Sequence, residues 1–231
     1  MAPSSSRPVV KKLAMAAGAM VIATAGIGAL HLPCARSLLM RLGGCPMAGA
    51  RVTPKEMDSG RRMALEIERG KTAAPARPAV GFVLDSTSLA DVHAWAARER
   101  VSCEDRHPGL VVCTDVKPGA VGLPDAEGTI DELALGFNQR GALANETTTR
   151  GHLTPQGAER AAHVIVGSLS AKLGPADKSV GSFGAQQLSG PAAASISTVS
   201  YRYLDYVAEV SAINLPRSGL SVREHYMSAN D

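Results

Sequence analysis

The densest gathering of groups that could do chemistry is Glu104-Asp105-Arg106-His107, which lies between Cys103 and Cys113. Two carboxylates beside an imidazole could move a proton, provided a substrate came within hydrogen-bond reach. A covalent mechanism would also need a Ser or Cys nucleophile with a matched His and acid, and no such set can be placed beside the segment. A metal centre would need more ligands at short spacing than Glu104, Asp105 and His107 supply, and the chain has no Cys-x-x-Cys. His93 and His163 pair with no other histidine at metal-ligand spacing, and Gly181–Gly184 lacks the lysine of a phosphate loop. No catalytic residue, metal site or cofactor is therefore expected. A hydrolase or metal-dependent enzyme remains the alternative only if Glu104, His107, His152, His163 and His225 converge from distant positions.

The cysteines say more about surroundings than about reaction. Val101–Asp105 and Leu110–Val116 read as two extended segments flanking His107-Pro108-Gly109. A hairpin centred on Pro108 sets Cys103 opposite Cys113, within disulfide range. A disulfide there is the expectation, with free thiols and a metal as alternatives; pairing of Cys34 with Cys45 is left open.

Other elements must position these groups. The sequence predicts a strand at Val80–Leu84, then a helix from Leu89 to Arg98 capped by Ser86, Thr87 or Ser88, with Leu89, Val92, Trp95 and Ala96 on its apolar face. Ile130–Phe137 alternates as a strand and turns at Asn138-Gln139-Arg140-Gly141 into Ala142–Thr149. Thr154 and Pro155 start a second helix that runs to Leu173 and stops at Gly174-Pro175, with Ala158, Ala162, Ile165, Leu169 and Leu173 on one face. After an irregular stretch, Ile196–Ile213 reads as one long strand and Leu220–Tyr226 as a final one. The fold class is α+β: an antiparallel sheet with two helices packed on it, as two helix-then-meander units, preceded by an N-terminal apolar helix.

Alternation along the long strand puts Leu204, Tyr206, Ala208 and Val210 on its core face and Tyr201, Tyr203, Asp205 and Glu209 on the other. Two tyrosines ringed by acids on an open sheet would suit recognition of a partner. The alternative is that the second helix or the loop Pro175–Ala194 covers both tyrosines.

Ahead of this domain, which spans residues 79–231, stand two further segments. Residues 1–33 comprise a basic tail with Arg7, Lys11 and Lys12, then an uncharged run from Leu13 to Leu32. That is the pattern of an export signal. Ala23-Thr24-Ala25 offers a cleavage site, whereas the run read through to Leu32 would span a bilayer of about 30 Å as an uncleaved anchor. Pro33 before Cys34, and Arg36 and Arg41 before Cys45, argue against a lipid-bearing cysteine. Residues 34–78 hold a juxtamembrane helix that opens with the capping box Thr53-Pro54-Lys55-Glu56 and ends by Gly70, then an extended Pro/Ala linker. Met57, Gly60, Ala64 and Ile67 share one side of that helix.

The formal net charge of +3 is spread among acids, so no basic stripe marks a nucleic-acid partner. Abundant Ala and Gly with few aromatics suit a bacterial source. The expected location is the bacterial inner membrane with a single pass and an exported C-terminal domain, or the periplasm or exterior after cleavage near Ala25.

Ser88-Leu89-Ala90-Asp91-Val92 and Leu135-Gly136-Phe137-Asn138-Gln139-Arg140-Gly141-Ala142-Leu143 resemble the helix and strand-turn-strand of the small lipoproteins of outer-membrane β-barrel assembly. A tandem pair of such units resembles the β-lactamase inhibitory proteins, and the whole chain resembles an uncharacterised exported bacterial family. The resemblance implies a binding or assembly scaffold with no active site of its own, although the lipid anchor signal of those lipoproteins is absent; the N-terminal helix is expected to hold it at the membrane, facing a protein or cell-wall partner.

Overall fold

The computed structural model describes residues 53–123, 128–189, 195–215 and 218–230. The apolar run Leu13–Leu32, Cys34 and Cys45 lie outside them. Among the described residues no helix is long and apolar enough to cross a membrane. The elements are α1 (Pro54–Glu68), α2 (Leu89–Glu99), β1 (Ser102–His107), β2 (Leu110–Val116), β3 (Ile130–Phe137), β4 (Leu143–Arg150), α3 (Pro155–Leu173), β5 (Lys178–Val180), α4 (Ala185–Leu188), β6 (Ser195–Arg202), β7 (Tyr206–Leu215) and β8 (Gly219–Ser228). The fold is α+β. Among the described residues eight strands form one antiparallel sheet in the order β1-β2-β3-β4-β8-β7-β6-β5.

The helices start where local chemistry directs them. Ser88 caps α2 through a capping box with Asp91, and Thr154 accepts from Gly157 N–H at the start of α3, with Pro155 at its first position. Val92, Trp95 and Ala96 of α2 and Ala158, Ala162, Ile165, Leu169 and Leu173 of α3 are buried. They pack on one sheet face, where Val111, Leu133, Leu135, Val199, Ala208, Val210 and Val222 complete a single core. The Trp95 indole N–H donates to the Ala120 carbonyl at 2.8 Å, so this large ring is buried without losing its hydrogen bond.

Three features depart from the sequence reading. Val80–Leu84 is not a strand: it belongs to a strap in which Val80 N–H donates to Glu146 Oε1 at 2.9 Å and Asp85 N–H to the Leu143 carbonyl at 2.7 Å. The long strand Ile196–Ile213 is a hairpin, because the chain reverses at Tyr203-Leu204-Asp205 and β6 pairs with β7. The turn carries no Gly or Pro and is set by its neighbours. Tyr203 N–H donates to the Tyr206 carbonyl at 2.8 Å, Leu204 N–H to the Thr72 carbonyl at 2.7 Å, and Asp205 Oδ1 accepts from Ala74 N–H at 2.8 Å.

The third feature lies ahead of position 79, where residues 53–78 belong to the same compact unit as the residues that follow. Helix α1 and the strap after it lie against the sheet. Leu65 is buried with Val207 and Met227, and Gly70 passes so close to β6 that a Cβ there would stand 2.1 Å from the Arg202 carbonyl oxygen. The side that carries Gly60, Ala64 and Ile67, by contrast, faces solvent, with Ile67 75% exposed.

Candidate functional site

The two faces of the sheet differ in chemistry. On the helix-covered face the centre is polar: Glu146, Thr148 and Arg150 of β4 stand opposite Tyr226, Glu224 and Val222 of β8. Arg150 Nη1 donates to Glu224 Oε1, Thr148 Oγ1 donates to the same oxygen at 2.9 Å, and the Tyr226 hydroxyl donates to Oε2. Ion pair and hydroxyls thus satisfy one another inside the core, as buried charge requires. A small cleft between the strap and α3, lined by Pro78, Val80, Ile165, Ser168, Glu224 and Tyr226, reaches this cluster.

Glu146 is fully buried, and its Oε2 has no hydrogen-bond partner. Burial, followed by the nearby Glu224, raises its pKa well above the ordinary 4.5. The folded protein therefore holds a proton that the unfolded chain releases above that value, and stability falls as pH rises. Glu146→Gln, which keeps a side-chain oxygen for Val80 N–H, is expected to remove this decline. Urea denaturation of both proteins at pH 5 and pH 9 checks it.

On the other face, pairing brings together residues that the sequence scatters. One row across the sheet is Ser102, Thr114, Glu132, Thr149, Arg223, Ser211 and Thr198; the next is Glu104, Val112, Ala134, Thr147, His225, Glu209 and Ser200. Hydroxyls thus recur at the interstrand spacing of about 4.8 Å. The Thr147 hydroxyl and His225 Nδ1 share a hydrogen bond of 2.7 Å. Burial, and secondarily Arg223, lowers the His225 pKa to about 4, so the ring is neutral at pH 7. Among the described residues helix α1 covers a third row, Gly136, Asn145, Met227, Val207 and Arg202. There Arg61 donates to the Ser228 carbonyl at 2.5 Å and Glu68 pairs with Arg202.

Of the four residues expected on an exposed face, only Glu209 lies on the open side of the sheet, half-buried opposite His225. Tyr201 is fully buried under α3, within hydrogen-bond distance of Ser170 Oγ at 2.8 Å. The Tyr203 hydroxyl donates to the Leu173 carbonyl, and Asp205 tethers the strap. Tyr201 is thus covered by the second helix, because the hairpin brings it opposite the core residue Ala208, while Tyr203 is half-buried at the end of that helix.

The histidines do not converge. Glu104 and His107 lie on exposed β1, His152 in an exposed turn, His163 on the outer side of α3 and His225 on the open sheet face. Among the described residues no group of three His, Cys, Asp or Glu side chains could hold a metal ion.

Cys103 and Cys113 are bonded to each other, directly paired across β1 and β2. Breaking a cross-link that closes so short a loop is expected to lower stability by about 2–3 kcal/mol. The Cys103→Ala/Cys113→Ala chain should show faster amide exchange in edge strand β1 before any other strand, measured by mass spectrometry.

Fold and site together define an α+β protein with one sheet face roofed by helices and the other partly exposed. No protein-family model, no curated protein and no solved structure matches the chain.

Proposed function

We propose that this chain is a non-catalytic module of the bacterial envelope that binds a protein or cell-wall partner through the open face of its sheet. The observation that carries this reading is the asymmetry of the sheet. Two helices roof one face, while on the other Thr114, Glu132 and Arg223 stand exposed, Val112, Thr147, Ser200 and Ser211 are buried, and among the described residues α1 covers one row. The export pattern of Arg7–Leu32 and the Cys103–Cys113 bond support placement outside the cytoplasm, anchored or released. The order helix, four strands, helix, four strands, joined through β4 and β8, favours two helix-then-meander units and the likeness to β-lactamase inhibitory proteins and outer-membrane assembly lipoproteins.

The test places a photo-crosslinking amino acid at Thr149 of the tagged full-length chain in a bacterial host, with the same probe at Val164 on the outer side of α3 as control. A specific adduct in the envelope fraction from position 149 alone is the expected result. Equal labelling from both positions, or a chain retained in the cytoplasm, would overturn the reading.

A further inference from the structure

We propose that residues 75–81 of the strap form a lid over the polar centre of the sheet, latched by Glu146, which holds it shut as an acid and releases it on ionising. The segment is anchored at both ends. On one side Ala74 N–H donates to Asp205 Oδ1. On the other the Phe82 ring packs edge-on against Trp95, with centroids 5.0 Å apart, and Asp85 N–H reaches the Leu143 carbonyl. Between these anchors residues 75–81 make no backbone–backbone hydrogen bond with any described residue. Side chains hold them instead. The Tyr206 hydroxyl donates to the Pro78 carbonyl at 2.5 Å, Arg77 reaches Asp85 and Ser228, and Glu146 Oε1 accepts from Val80 N–H at 2.9 Å. Gly81, at φ +78°, stands between the latch and the Phe82 anchor, where the backbone is freest to rotate.

Glu146 is badly placed to carry a charge while the lid is shut. Its neighbour Glu224 already takes up the donors at hand, which are Arg150, Thr148 and Tyr226. Two buried carboxyl groups thus share one buried guanidinium, and Glu146 Oε2 has no partner. As an acid the group is served by the Val80 hydrogen bond; as an anion it needs water, which burial denies it. The charged and titratable groups around it are Glu224, Arg150 and Tyr226 on the sheet, Tyr206 on β7, Arg77 on the strap and Lys172 on α3. Burial pushes both tyrosines above their ordinary range, so they stay protonated.

The cleft beside the lid shows how water would arrive. Pro78 and Val80 form one wall, Ile165 and Leu169 of α3 the other, and Glu224 and Tyr226 the floor. Helix α3 is pinned by five buried side chains, so lifting residues 75–81 is the less costly movement, a local opening that leaves the sheet paired. In the open state Glu146 titrates near its ordinary 4.5, below its value in the closed state. Between the two values the open state releases a proton that the closed state keeps. The opening constant therefore rises about tenfold per pH unit across that interval. The cleft is shut in acid and becomes accessible towards neutral pH.

The test introduces Val80→Cys into the full-length chain and, separately, Val164→Cys, the first position being 4% and the second 52% exposed. Alkylation of each by iodoacetamide is followed by peptide mass spectrometry from pH 5 to pH 7, and the ratio of the two rates removes the reagent's own pH dependence. The ratio should rise by at least about tenfold with Glu146 present and stay flat in Glu146→Gln, which keeps an oxygen for Val80 N–H. Should Val80→Cys not fold, amide exchange of residues 76–81 in the chain without added cysteines gives the same comparison against Glu146→Gln. In either form of the test the amides of β4 and β8 should hold their protection. A response that is flat in the parent, one that is equal in Glu146→Gln, or loosening of β4 and β8 in step with the lid overturns the proposal.

Discussion

Replacing Arg150 with methionine is expected to destabilise the protein by about 3–5 kcal/mol, because it leaves the Glu224 carboxylate buried without its guanidinium partner. The two side chains are nearly inaccessible, at 1% and 4% exposure. The Thr148 and Tyr226 hydroxyls remain to solvate the anion, so the loss reflects the missing charge and not a missing hydrogen-bond network. The double substitution Arg150→Met/Glu224→Leu should recover most of the loss, since an apolar pair of similar volume needs no compensation in the core. Guanidinium denaturation of the single and double variants checks this; a double variant as weak as Arg150→Met would show that packing, and not charge, sets the result.

Acidification should cost a similar amount through a different residue. His225 is neutral in the fold, with its pKa down at about 4 against an ordinary 6.5. The unfolded chain therefore binds a proton that the folded chain refuses between those values. Its contribution to stability is complete above pH 6.5 and is lost as pH falls towards 4, by about 3 kcal/mol in all. Glu146 acts with the opposite sign, weakening the fold as pH rises above 4.5. His225→Gln should flatten the acid limb of the stability curve and leave the alkaline limb, whereas Glu146→Gln should do the reverse. Thermal melts from pH 4 to pH 9 separate the two.

Much of this architecture was legible locally. Helix α3 runs from Pro155 to Leu173 with its expected face buried, and β3 spans Ile130–Phe137, because cap residues and apolar periodicity act over a few positions. The Cys103–Cys113 pairing follows from the short turn at Pro108. The β6–β7 hairpin was not legible, since its turn is fixed by residues 72 and 74 and not by turn-forming residues of its own. One unread reversal was enough to place Tyr201 on the wrong face. Nor does Ala-Asn-Glu-Thr-Thr-Thr-Arg look like a central strand: Glu146 and Arg150 are hidden only because β8 and the strap close over them. The hydroxyl rows and the His225–Thr147 contact appear only after the register is known.

The order β1-β2-β3-β4-β8-β7-β6-β5 also bears on how the chain reaches this state. Every strand pair but one joins neighbours in sequence. The exception, β4 with β8, links positions such as Asn145 and Met227. Loop closure over that distance must precede any gain from the pairing, so each meander can form early and the seam between them late. Glu146, Arg150 and Glu224 all sit on that seam. Substitutions there should therefore change the unfolding rate far more than the folding rate.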